Sequence, residues 1–141
     1  MTSDPVVPTL GASHGPATIL VVEDDIITRM AVCEDLRDQG YGVVEAGSAD
    51  EALSILRTGI PIELVLTDLK MPGSLDGNGL VRLIKTEFTW LKIIMLSGHL
   101  PEADVRMLLD GYVAKPIFPS QVVRYVRTLI CPRGAWRCRD E

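Results

Sequence analysis

The sequence predicts an α/β sandwich: a doubly wound, five-stranded parallel sheet of order 2-1-3-4-5 with helices on both faces. Three observations carry this. Short runs of β-branched and apolar residues recur five times along the chain, and each is followed by a stretch with apolar residues at helical spacing. The runs are apolar on both faces instead of alternating, which is how strands of a parallel sheet covered by helices read. Right-handed crossovers joining five such units most simply give that strand order.

The units follow in order. Residues 17–22 (ATILVV) form the first strand, and 26–40 the first helix, closed by Gly40. Residues 41–46 (YGVVEA) precede a second helix over 48–59, where Ser48 and Glu51 make a capping box. Residues 62–68 (IELVLTD) lead to a helix over 78–88, and 91–98 (LKIIMLSG) to one over 101–110. Residues 111–115 (GYVAK) then lead to the last helix, 119–130, whose stripe Val122, Val123, Val126, Leu129 and Ile130 reads as core. Pro101 and Pro119 fall where a first helical turn tolerates proline. A continuous Rossmann half would need a glycine-rich turn after the first strand, and Glu23-Asp24-Asp25 stands there instead.

Length and composition agree with one domain. The chain has 141 residues, 47% hydrophobic and 23% charged, enough to bury a core without metal or disulfide staples. Residues 1–16 read as a flexible leader, 17–130 as the folded domain and 131–141 as a short basic tail. The longest uncharged stretch, residues 5–22, carries three prolines and two glycines, so neither a signal peptide nor a membrane span is expected. Three cysteines imply no disulfide framework, and a cytoplasmic location is expected. Net charge is −5, divided as −8 over residues 1–120 and +3 over 121–141, which argues against a nucleic-acid binder. Trp136 in the tail is assigned neither to the domain nor to a partner.

The chemistry gathers where doubly wound sheets bind ligands, at the carboxyl ends of the strands. Glu23 and Asp24 follow strand one, and Asp68 ends strand three, 44 residues beyond Asp24. Strands one and three are neighbours in this order, so the carboxylates converge. Such a cluster is costly unless it shares a cation or takes up protons, and oxygen ligands of this kind suit Mg²⁺. The bland alternative is that these acids cap the first helix. Ser97 ends strand four and Lys115 ends strand five. Alone, one is a turn hydroxyl and the other a solvated lysine; together with the acids they supply what an incoming phosphoryl group needs.

The fragments ILVVEDD, LVLTDLKMPG, IIMLSG and YVAKP, in that order, resemble the receiver domains of bacterial two-component response regulators over residues 17–130. The resemblance implies the flavodoxin-like receiver fold and a response regulator that takes a phosphoryl group on Asp68. Its donor would be a histidine kinase or histidine phosphotransfer protein, with Mg²⁺ held by Glu23, Asp24, Asp68 and the backbone carbonyl of Lys70. Ser97 would be the switch hydroxyl, Lys115 the phosphate-binding lysine, Tyr112 the switch aromatic and Asp25 a helix-starting neighbour. Lys70 and His99 stand where the family modulates dephosphorylation, and Lys115-Pro116 where it has a cis bond. Tyr112 is otherwise an ordinary strand tyrosine packed on apolar neighbours.

Two departures matter. Ser97 and Lys115 are only 18 residues apart, so the fourth helix is expected to be short, about two turns. The GSLDGN segment after Met71 and Pro72, which opens with Gly73, suggests a mobile loop beside the acceptor. With eleven residues after Ile130, the chain reads as a stand-alone receiver, not itself an enzyme, that switches a protein–protein contact. That contact is expected around the fourth helix, strand five and helix five, with the phosphoryl donor docking nearer helix one. Three alternatives stand beside it: a Mg²⁺ phosphatase using an aspartyl phosphate, a receiver module of a hybrid kinase, and a flavin carrier. Lys70 stands where such phosphatases place a second acid, and the acids after strand one would repel a flavin phosphate.

Overall fold

A computed structural model describes residues 17–130. Its elements are β1 (Thr18–Val22), α1 (Ile26–Asp38), β2 (Gly42–Ala46), α2 (Ala49–Arg57), β3 (Leu64–Asp68), α3 (Gly77–Glu87), β4 (Lys92–Ser97), α4 (Ala103–Arg106), β5 (Gly111–Ala114) and α5 (Pro119–Leu129). The strands form one sheet of order β2-β1-β3-β4-β5, parallel throughout, as the sequence predicts. The proposed leader and tail lie outside the described residues, and with them Trp136. No helix among the described residues is long and apolar enough to cross a membrane.

The two-sided apolar strands divide their side chains between two cores. Leu20, Val22, Val65, Ile93 and Met95 meet α2, α3 and α4 on one face. Ile19, Val21, Leu64, Leu66, Ile94, Leu96 and Val113 meet α1 and α5 on the other. Alternate residues point to opposite faces, so both sets must be apolar. In α5 the predicted stripe is inward: Val122, Val123 and Val126 are buried, with Leu129 and Ile130 packed against the same core.

Local chemistry sets the boundaries. Asp25 caps α1 by accepting the Thr28 N–H at 3.2 Å, and Gly40, at φ 99°, lets the chain turn back after that helix. Ser48 accepts the Glu51 N–H at 3.1 Å, while the Glu51 carboxylate reaches one residue further than a standard box, to the Gly47 N–H at 2.7 Å. Asp76 caps α3, and Pro119 opens α5.

Two expectations need correction. The fourth helix is a single turn of four residues, not two turns, and Pro101 precedes its cap Glu102 instead of entering it. The sheet takes back the residues that would have extended it. Asp110 donates its N–H to the Ile93 carbonyl at 2.8 Å and accepts the Ile93 N–H on its carboxylate at 2.8 Å, tying the chain to β4 four residues after α4 ends.

Candidate functional site

Four of the five strands deliver the predicted residues to one edge of the sheet. Glu23 and Asp24 follow β1, Asp68 is the last residue of β3, Ser97 the last of β4, and Lys115 the first after β5. Glu23, Asp24 and Asp68 each place a carboxylate oxygen so that all three lie within 4.8 Å of one another. Lys115 Nζ reaches into this group from β5, at 2.9 Å from Asp68 Oδ2 and 3.4 Å from Glu23 Oε1. Its peptide bond to Pro116 is cis. The other Asp68 oxygen, Oδ1, accepts the Leu69 N–H at 2.7 Å, and Glu23 Oε2 accepts the Asp25 N–H at 3.2 Å. Helix capping falls to Asp25 alone, so the bland reading of the acids accounts for neither Glu23 nor Asp24.

Glu23 and Asp68 are buried while Asp24 is exposed. Burial first, and then the charge of Asp68, pushes the Glu23 carboxyl up to about 7. Burial of Lys115 works against its ammonium, but the hydrogen bond and charge of Asp68 and the charge of Glu23 outweigh it and raise its pKa. Three carboxylates facing one ammonium leave an excess of negative charge on hard oxygen donors. A divalent cation of the Mg²⁺ type fits that donor set.

Ser97 is buried, and its Oγ accepts the His99 N–H at 3.0 Å. The Tyr112 hydroxyl donates to the carbonyl oxygens of Ser97 and His99. Tyr112 is thus bonded to the β4–α4 loop as well as packed on apolar neighbours. Both contacts of His99 run through its backbone, and the residue is exposed. Lys70 is exposed two residues beyond Asp68.

Three residues that the sequence reading passed over also shape the site. A Cβ on Gly77 would stand 2.4 Å from the Asp68 carbonyl oxygen and 2.7 Å from Leu69 Cα, so only glycine lets α3 begin this close to Asp68. In the sequence, this glycine is just one of several in a segment read for its mobility. Asn78, buried at the start of α3, accepts the Glu102 N–H at 3.2 Å and ties α4 to α3. Arg29 donates to the Glu23 carbonyl oxygen at 2.7 Å and to Glu45 at 3.0 Å. Helical side chains lean toward the N-terminus, so an arginine four residues after a cap is a signal for such a contact.

A family model of the response regulator receiver domain matches residues 19–127. The chain belongs to this family. Among curated relatives of this receiver, it is 36% identical over 120 residues to the transcriptional regulatory protein AruR of Pseudomonas aeruginosa, covering 79% of this chain and 48% of the relative. It is 34% identical over 121 residues to the sensor kinase CckA of Brucella abortus, covering 82% of this chain and 13% of that one. The receiver thus spans about half the length of one of these relatives and far less of the other. Among solved structures, the response regulator TrrA of Thermotoga maritima in complex with Mg²⁺-BeF superposes with TM-score 0.73 at 28% identity, over 81% of this chain and 99% of that one. A receiver protein of Pseudomonas putida gives TM-score 0.72 at 32% identity, over 79% and 96%. Family membership sets the flavin-carrier alternative aside.

Proposed function

We propose that this receiver accepts a phosphoryl group on Asp68 from the phosphohistidine of a sensor histidine kinase or phosphotransfer protein, and that the phosphorylated form switches a protein–protein contact. One observation carries the reading: Asp68 lies between a lysine ammonium at 2.9 Å and the acidic pair Glu23 and Asp24. An Asp68 carboxylate oxygen attacks phosphorus, and the new P–O bond forms as the P–N bond to the donor imidazole breaks. Glu23, Asp24, Asp68 and the Lys70 carbonyl would hold Mg²⁺, which when bound neutralises the charge that the phosphoryl oxygens bring to an already acidic site. Lys115 turns from the Asp68 carboxylate to a phosphoryl oxygen. Ser97 Oγ is an acceptor toward His99, so its own proton remains to be donated to another.

The magnitudes suit a switch. Moving a population from 1:99 to 99:1 takes about 5.5 kcal/mol. Two charge-assisted hydrogen bonds at about 1.5–3 kcal/mol each supply a comparable amount. Tyr112, bonded to the carbonyl of Ser97, carries that movement to β5. Lys70 and His99 then act at the rim as modulators of dephosphorylation. The contact it governs is with a protein and not with nucleic acid, on the surface around α4, β5 and α5, with the donor nearer α1. A cytoplasmic place, where such donors work and the buried Cys33 stays a free thiol, fits this reading.

Phosphotransfer from a panel of radiolabelled histidine kinases, with and without EDTA, tests the proposal. The expected result is about one phosphoryl group per chain from a preferred donor, abolished by EDTA. Release of many equivalents of phosphate per chain points instead to the aspartyl-phosphate phosphatase. No transfer from any donor contradicts the reading.

A further inference from the structure

The edge strand β2 contributes no side chain to the acidic cluster, yet it holds the residue on which the cluster is built. The last paired residues of β1 and β2 are Val22 and Ala46. One residue further on, the Glu23 N–H donates to the Ala46 carbonyl at 3.0 Å. The other side of Glu23 is held by Arg29 of α1, whose Nη1 donates to the Glu23 carbonyl at 2.7 Å. Arg29 is itself anchored to β2, with Nε at 3.0 Å from Glu45 Oε1, and Arg37 takes the second Glu45 oxygen at 3.2 Å. The Arg29 side chain is largely buried, at 20% exposure, so this is a fixed bridge and not a surface pair. The absence of a side chain at Gly47 leaves room for this guanidinium, since a Cβ there would lie 3.3 Å from Arg29 Nη1.

The carbonyl that Arg29 grips belongs to the Glu23–Asp24 peptide. That plane sets the directions in which both carboxylates leave the chain, because a peptide unit turns as one rigid group. We infer that Arg29, anchored by Glu45, is a positioning residue that presets the Glu23–Asp24 pair for a divalent cation, so that cation affinity is governed from the far side of β1. The inference rests on reading Glu23 and Asp24 as the metal-holding pair.

Titration calorimetry with Mg²⁺ alone tests it, on the parent, Arg29→Met, Glu45→Gln, the Arg29→Met/Glu45→Gln double variant and Asp24→Asn. Methionine keeps the apolar stem and helix propensity of Arg29 without its donors. Groups that orient metal ligands are worth about 10–100-fold in affinity, so Arg29→Met should weaken Mg²⁺ binding by at least about tenfold. Glu45→Gln should weaken it less, and the double variant no more than Arg29→Met, because both act through one link. Additive losses in the double variant would mark two separate structural effects and overturn the inference. Should Arg29→Met fail to fold, Arg29→Lys decides. Its single ammonium is claimed by the Glu45 carboxylate and releases the Glu23 carbonyl, so affinity should fall several-fold. Parent affinity, within twofold, in the folded Arg29 variant beside a weakened Asp24→Asn overturns the positioning role alone. An unweakened Asp24→Asn overturns the underlying metal site instead.

Discussion

The hydroxyl of Tyr112 lies 3.1 Å from the carbonyl oxygen of Ser97, so the aromatic of β5 donates to the backbone of the residue proposed to move with the phosphoryl group. The same hydroxyl also donates to the His99 carbonyl at 3.2 Å, which closes the start of the β4–α4 loop onto β5. Tyr112→Phe removes both bonds and keeps the ring. It is expected to cost about 0.5–1.5 kcal/mol of local stability and to speed amide exchange over residues 97–100 by about three- to tenfold. Exchange as slow as in the parent would show that the phenol does not hold the loop.

Gly77 and Gly79 stand two residues apart in α3 and predict opposite outcomes. A methyl on Gly77 meets the backbone of Asp68 and Leu69, which cannot yield without moving β3 or α3. Gly77→Ala should therefore destabilise by about 1–3 kcal/mol and slow phosphorylation. A methyl on Gly79 displaces the end of the Leu75 side chain, which can turn aside, and otherwise makes only ordinary contact with Asp76 Oδ1, so Gly79→Ala should be neutral or stabilising by up to about 1 kcal/mol through helix propensity. Urea unfolding of both variants checks the contrast, which fails if Gly79→Ala costs as much as Gly77→Ala.

The strands and the site's placement were legible because each strand is apolar on both faces and the acids, Ser97 and Lys115 follow strand ends. What the sequence hid was set by contacts between distant segments. The single turn of α4 depends on Asp110 pairing with Ile93 of β4, and nothing in the spacing of PEADVRMLLD announces that pairing. The need for glycine at 77 comes from its approach to Asp68, nine residues away in the chain but at van der Waals distance in space. Asn78 reads as an ordinary helix-start residue until Glu102 is brought against it.

Arg82 grips the short α4 with both ends of its guanidinium: Nε and Nη2 bond the two Asp104 oxygens at 2.9 and 3.0 Å, and Nη2 also meets Glu102. These partners are exposed and screened by salt. Arg82→Ala should therefore speed amide exchange in α4 while leaving the global unfolding midpoint nearly unchanged. Molar salt should partly reproduce the effect in the parent. A large drop in the midpoint would show that this clamp belongs to the global fold.

Two buried groups make the fold sensitive to alkali. Burial, aided by the charge of Glu45, pushes the Cys33 thiol up to about 11, and burial pushes the Tyr41 phenol, which donates to the Ile130 carbonyl, up to about 12. Both groups are neutral when protonated, and the folded state holds their protons more tightly than the unfolded chain does. Their contribution is complete below the ordinary values of 9.0 and 10.0 and is lost as pH rises toward the folded ones. The loss should be on the order of 2 kcal/mol for each group. Denaturant unfolding across that range should show stability falling with pH, and less steeply in Tyr41→Phe. Stability that is level or rising there contradicts the assignment.

The central claim is that Asp68 is the phosphoacceptor, and chemical mapping of the acyl phosphate tests it most directly. The protein is incubated with acetyl phosphate and Mg²⁺, reduced with borohydride, digested and sequenced by mass spectrometry. Borohydride converts an aspartyl phosphate to homoserine and leaves free aspartate untouched. The account predicts homoserine at position 68 alone, none when Mg²⁺ is withheld, and no labelling of Asp68→Asn. Homoserine at Asp24 or another acid of the parent, or labelling of Asp68→Asn equal to the parent, would contradict it.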